Sequence, residues 1–207
     1  MKKFAFILTL LSASVFGQTF EGKIFYNTTY ESKLPNMSSE QFTVMMGNNQ
    51  EYLTKNGNYK SITNGKFLQW QLYSKADRKL YTKMANSEII FWNDVSINAD
   101  EVVKIEINKA VTKVLGYTCD EVVLTCKSGI QKYYFNTAFG VDISLFEEHL
   151  YGNWYNYLKE AKAFPLKSII ENAQFTLVST ATEIKEMKLD DKEFQLPENS
   201  KTEKSTF

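Results

Sequence analysis

Few residues in this chain could do bond chemistry: two cysteines, Cys119 and Cys126, and one histidine, His149. The cysteines lie seven residues apart in LGYTCDEVVLTCKSG (residues 115–129), with Val122, Val123 and Leu124 between them. A run of this composition without a turn former reads as one strand. Seven steps of about 3.3 Å put the two Cα atoms roughly 23 Å apart, whereas a disulfide needs them within about 6.8 Å. The odd spacing also sends the two side chains to opposite faces. No Cys119–Cys126 bridge, shared metal site or redox pair is expected. Cys126 shares a face with Val122 and Leu124 and should point inward. Cys119 is the candidate exposed thiol.

His149 follows Phe146-Glu147-Glu148. A metal site needs three or four converging ligands, and one histidine beside two acids does not supply them. A general base needs a nucleophile, and no G-x-S-x-G motif is present. Phosphate-loop and dinucleotide glycine patterns are missing too. The pair Asp190-Asp191 sits in a turn-like stretch where solvation accounts for it. The expectation is a protein that is not an enzyme, with no metal and no cofactor, and with His149 at a surface helix end or lid.

The chain opens MKKFAFILTLLSASVFGQ: two lysines, an apolar run too short to span a bilayer, then small residues. This is the layout of a secretory signal peptide over residues 1–17, and implies a periplasmic or secreted protein. No later segment approaches the roughly 20 apolar residues that cross a membrane as a helix. Loss of Lys2 and Lys3 takes the balance of 24 basic and 24 acidic side chains to 22 against 24, a net charge of −2. Arg78 is the sole arginine. A nucleic-acid partner, which calls for a basic stripe, is not expected.

The remaining length suits one domain, residues 18–199, with a polar tail over 200–207 expected to be disordered. The hydrophobic pattern is mainly of period two. FEGKIFYNTTY places Phe20, Ile24, Tyr26 and Tyr30 on one face; KFLQWQLYSK does so with Leu68, Trp70 and Leu72; VVKIEINK with Val103, Ile105 and Ile107. Such alternation marks strands with one buried face. Turn signals separate them, notably Asn56-Gly57 and Asn64-Gly65. About ten strands joined by short turns imply an antiparallel meander curled into a barrel or half-barrel. One stretch differs. Within residues 144–162, Leu150, Trp154 and Leu158 recur at helical spacing, and Gly152 suggests that the helix starts near Asn153. Its apolar stripe either plugs the open side of the sheet or covers a cavity as a lid.

Three segments then carry a resemblance. FEGKIFYNTTY fits a G-x-I-x-Y strand, LGYTCDEVVLT an I-x-G-Y-x-C-x-x-Y/V strand, and AFPLKSIIENAQFTLVSTATEIKEMKLDDKEFQLPE a G-x-P-L, A-T-x-I, F-x-L-P-x-G pattern. Ala163 stands where a glycine is usual, and Pro197-Glu198-Asn199 ends without one. Over residues 20–199 the chain resembles a family of exported proteins from Bacteroidetes-type bacteria grouped with the LolA/LolB outer-membrane lipoprotein carriers. The resemblance implies a strongly curved antiparallel sheet, an incomplete barrel covered by one or more helices, whose apolar trough takes acyl chains. Each buried CH₂ contributes about 0.8 kcal/mol, so such a trough needs no specific chemistry. The family's carriers hold their lid with an arginine, and Arg78 lies outside the helical stretch.

Two functional readings follow. The first is a binding module for a lipidic or hydrophobic ligand, or a lipoprotein. Its candidate contacts are Ile24, Tyr26, Leu68, Trp70, Leu72, Ile105, Val122 and Leu124 on the concave face, with Leu150, Trp154 and Leu158 as lid. The second is a structural or partner-binding envelope protein whose trough is filled by its own side chains.

Overall fold

The computed structural model describes residues 19–206; the leader expected over residues 1–17 lies outside them. Twelve strands form one sheet: β1 (Gly22–Ser32), β2 (Asn49–Lys55), β3 (Asn58–Thr63), β4 (Leu68–Ser74), β5 (Lys79–Met84), β6 (Ile90–Asp94), β7 (Val102–Val114), β8 (Tyr117–Cys126), β9 (Gly129–Gly140), β10 (Ala163–Asn172), β11 (Phe175–Glu186) and β12 (Thr202–Lys204). Their spatial order is β12-β6-β5-β4-β3-β2-β1-β11-β10-β9-β8-β7. Every pairing is antiparallel except β12 on β6, which is parallel. The sheet is curved and unclosed, mainly β as the alternation implies, with β12 and β7 at its two edges. It comprises two meanders, β2–β6 and β7–β10, joined through β1 and β11. Those two strands pair from Gly22↔Glu186 to Ser32↔Phe175.

The hairpin of β2 and β3 shows how local chemistry sets the register. Asn56 and Gly57 both take positive φ, 48° and 82°, the conformation that a two-residue turn between twisted strands demands. Tyr52 is thereby set against Ser61, and Gln50 against Thr63, on the concave face.

Two α-helices lie among the described residues: α1 (Ser39–Met46) and α2 (Trp154–Ala161). The latter begins where Gly152 and Asn153 adopt positive φ, just after the glycine that interrupts the helical pattern. It buries Tyr157, Leu158 and Ala161 in the main core with Val122, Leu124, Phe164 and Leu166. Tyr133 stacks on Tyr157 at 4.2 Å between ring centroids, and the Tyr157 hydroxyl donates to the Ala163 carbonyl at 2.8 Å. No helix among the described residues is long and apolar enough to cross a membrane.

Three expectations are corrected here. Thr202–Lys204 is a strand on β6, although its polar composition reads as a solvated tail. Cys119 is fully buried rather than exposed, and both cysteines are free thiols in the same core. The cause is an irregularity in β7 between Asn108 and Thr112, where Ala110 takes φ 53°. Across it β8 stops alternating: Cys119, Glu121, Val122, Leu124 and Cys126 are all buried. His149, finally, is 1% exposed rather than at the surface.

Candidate functional site

A cavity of about 330 Å³ opens in the concave face. Its floor is aromatic. Tyr26, Tyr52, Tyr59, Tyr133 and Trp154 come from β1, β2, β3, β9 and the first turn of α2. Tyr52 and Tyr59 stack at 5.2 Å. Trp154 meets Tyr59 edge-on at 6.2 Å and Tyr133 at 6.4 Å. Two of the phenols are anchored: Tyr26 donates to the Pro165 carbonyl at 2.6 Å, and Tyr59 shares a 2.8 Å hydrogen bond with His149 Nε2, whereas the buried Tyr52 hydroxyl and Trp154 Nε1 have no hydrogen-bond partner. Burial pushes the phenols of Tyr26, Tyr52, Tyr59 and Tyr133 well above their ordinary range, so the floor stays neutral.

The walls are hydroxyl and amide groups that largely satisfy one another. Thr28 Oγ1 and Ser179 Oγ lie 3.1 Å apart. Gln50 Nε2 donates to Ser61 Oγ at 2.7 Å, and Thr63 Oγ1 to the Leu68 carbonyl at 2.6 Å. No lining residue carries a charge. Apolar solutes are favoured where water is displaced from aromatic surface, and an ionic group would enter with no counter-charge.

Helix α1 closes the far end. Ser38 and Gln41 form a capping box at its start, with Gln41 N–H donating to Ser38 Oγ and Ser38 N–H to Gln41 Oε1. Its last carbonyls are taken by the β3–β4 loop, Lys66 N–H on Val44 and Phe67 N–H on Met45. Gly47 ends the helix at φ 90°; a Cβ there would lie 2.6 Å from the Gly65 nitrogen, so only glycine lets the loop approach. Phe42 packs on Tyr30 and Phe175, each at 5.1 Å. Met46 and Gly47 then form part of the cavity lining, beside Tyr30, Asn49, Leu68 and Leu177.

His149 lies against two aromatic rings, stacked on Tyr59 at 5.6 Å and tilted against Tyr73 at 4.4 Å. Burial lowers its pKa from 6.5 to about 4, so it is a neutral core residue near pH 7. Its neighbour Glu148 pairs with Arg78 Nε at 2.7 Å on the surface; an exposed pair of this kind contributes about 0–1 kcal/mol. Among the described residues, no three His, Cys, Asp or Glu side chains are grouped to hold a metal ion.

Of the eleven expected contacts, Tyr26, Leu68 and Trp154 line the cavity. Ile24, Val122, Leu124 and Leu158 lie in the core and have no exposed surface. Leu150 is half-buried in the turn before α2, its N–H donating to the Val95 carbonyl at 2.7 Å. Ile105 is 41% exposed on the edge strand β7. Trp70 and Leu72 are on the opposite face, in a second cluster with Tyr81, Ile90, Trp92, Phe194 and Leu196. The reason is a bulge between Leu68 and Trp70. One extra residue inverts the alternation after it, so Leu68 points into the cavity and Gln71 follows it there, while Trp70 does not. Among the residues missed are Thr28, Ser61, Tyr52, Tyr59, Tyr133 and Ser179. Thr28 is readable as the next step of Ile24 and Tyr26, and Tyr52 and Ser61 from the Asn56-Gly57 hairpin.

No family model matches the sequence, and no curated protein does. Among solved structures the chain is similar to an uncharacterized conserved protein from Thermus thermophilus, with TM-score 0.46 and 6% identity over 89% of this chain and 91% of that one. It is similar to a LolA superfamily protein from Nitrosomonas europaea, with TM-score 0.38 and 12% identity over 87% and 92%. A third is LprF from Mycobacterium bovis, with TM-score 0.25 and 10% identity over 79% and 85%. At these scores the ligand must be read from the cavity itself.

Proposed function

We propose that this protein binds an uncharged hydrophobic or lipidic ligand in the concave cavity. It does so as an exported single-domain protein of the periplasm or cell exterior, in the handling of envelope lipids or lipoproteins. The reading is of a carrier or binding protein rather than an enzyme. The observation that carries it is a cavity of about 330 Å³ with an aromatic floor and no charged lining, left open although α2 fills the neighbouring stretch of trough. At about 30 Å³ per water, it displaces roughly eleven waters, room for an acyl segment of about that many carbons.

Native mass spectrometry of the protein purified from the periplasmic fraction, before and after organic extraction, tests the reading. A reproducible lipid-sized adduct is expected, together with uptake of a fluorescent fatty acid. Ser61→Trp, which fills the cavity, should abolish uptake. Trp70→Gln, on the opposite face, should leave it intact. A clean apo mass with no uptake would sink the proposal and favour a trough that serves structure alone. N-terminal sequencing of the same sample checks export, with Gln18 expected first.

A further inference from the structure

The two edges of the sheet are treated differently. Strand β6 is covered by β12, whereas nothing among the described residues pairs with the outer edge of β7. β7 is thirteen residues long, and positions 103–111 are all exposed. Val103, Ile105 and Ile107 are 65%, 41% and 44% exposed. Ile105 and Ile107 stand opposite the core residues Leu124 and Val122 of β8, so the apolar concave face runs out to this edge and stops there uncovered. A long open edge with apolar side chains is a template for another strand.

We propose that the occupant is a second copy of the same chain, pairing β7 with β7 antiparallel about a two-fold axis through Ile105. The sequence is self-complementary in that register. Ile105 meets its own counterpart on the axis, and Lys104 meets Glu106, a pair that occurs twice by symmetry. Opposite charges and apolar side chains directly across an antiparallel pair stabilise it, and like charges there oppose it. The stretch from Lys104 to Asn108 is the regular part of the strand, paired without interruption to β8, and so presents an unbroken edge. Within one copy Lys104 pairs with Glu106 at 2.9 Å, and both are exposed enough to exchange this partner for one across the interface. A partner of unrelated sequence would need the same palindromic order of charge, which a second copy provides of itself.

Sedimentation velocity on the full mature protein over a concentration series tests this, using charge reversals on the exposed strand that leave the core untouched. The wild type should dimerise. Lys104→Glu and Glu106→Lys, each alone, should weaken dimerisation about tenfold or more by placing like charges opposite. An equimolar mixture of the two variants should dimerise again, because each supplies the charge that the other lacks. Ile105→Cys should form a symmetric disulfide on mild oxidation, the native cysteines being buried. A wild type that stays monomeric at all concentrations would overturn the proposal and leave the lysines as guards of a solitary edge. So would a dimer indifferent to both reversals, or one in which Ile105→Cys does not cross-link.

Discussion

The two helices that bound the trough are opposites. α2 buries Tyr157, Leu158 and Ala161 completely or nearly so and brings Trp154 to the cavity floor. α1 buries no residue; it is held to the sheet by one aromatic contact group, a hydrogen bond from Ser32 N–H to Ser39 Oγ and two backbone hydrogen bonds from a loop. Both have eight residues, too short to persist alone in water, so each lasts as long as its tertiary contacts do. α2 is thus part of the core that shapes the cavity, and α1 is a cover that can open while the rest stays folded. The end of the cavity lined by Met46 and Gly47 lies under the weaker helix, and exchange of a ligand is expected there.

The largest effect should come from the strong side. Leu158→Ala should cost about 2–5 kcal/mol and Tyr157→Ala about 3–5 kcal/mol, read from urea midpoints, with the cavity floor lost along with the stability. Acid sharpens the same contrast. Unfolded, the His149 imidazole takes a proton near pH 6.5; folded, only near pH 4. The unfolded chain therefore binds the proton first as the pH falls. Stability that is full above pH 6.5 should drain away toward pH 4, by up to about 3 kcal/mol. Comparing urea midpoints at pH 7 and pH 4.5 checks this, and His149→Phe should flatten the dependence while leaving Tyr59 without its partner. An unchanged midpoint in the wild type would mean that His149 is not held neutral.

On the weak side, Phe42→Ala should cost only about 1–2 kcal/mol, since the ring is half-buried, and should speed release of a bound fluorescent fatty acid. If release is unchanged, α1 is not the gate. Smallest of all, Ser38→Ala should cost about 1 kcal/mol or less. It should appear as faster amide hydrogen exchange confined to α1, with the amides of α2 unaffected.

Much of this layout is written in the alternation. The strands around Ile24, Leu68 and Ile105 form where period two places them, and α2 begins just after Gly152. What period two does not carry is the position of a bulge. The bulge between Leu68 and Trp70 is one residue long and has no glycine or proline to mark it, yet it moves Trp70 and Leu72 out of the trough. The irregularity in β7 likewise brings Cys119 into the core. Helix α1 has a signal, the Ser38-x-x-Gln41 capping box, but its eight residues are flanked by strand-like sequence. His149 looks solvated beside Glu147 and Glu148, and only the folded chain shows those acids outside and the ring within. The placement of Thr202–Lys204 depends wholly on the distant edge that receives it.

The pairing of β1 with β11 has a consequence for how the molecule comes into being. Tyr26 is matched to Ala181, and Ile24 to Ile184, across most of the chain. Each flanking meander is made of neighbours in sequence and can form as it emerges, but the seam between them must wait for a late strand. Pairings so distant in sequence close slowly. Until that seam closes, β1 can pair with β2 but has an open second side, and the trough has only part of its wall. A cavity built across such a seam exists only once the chain is nearly complete, so a ligand is met by a finished protein and not by one still being made.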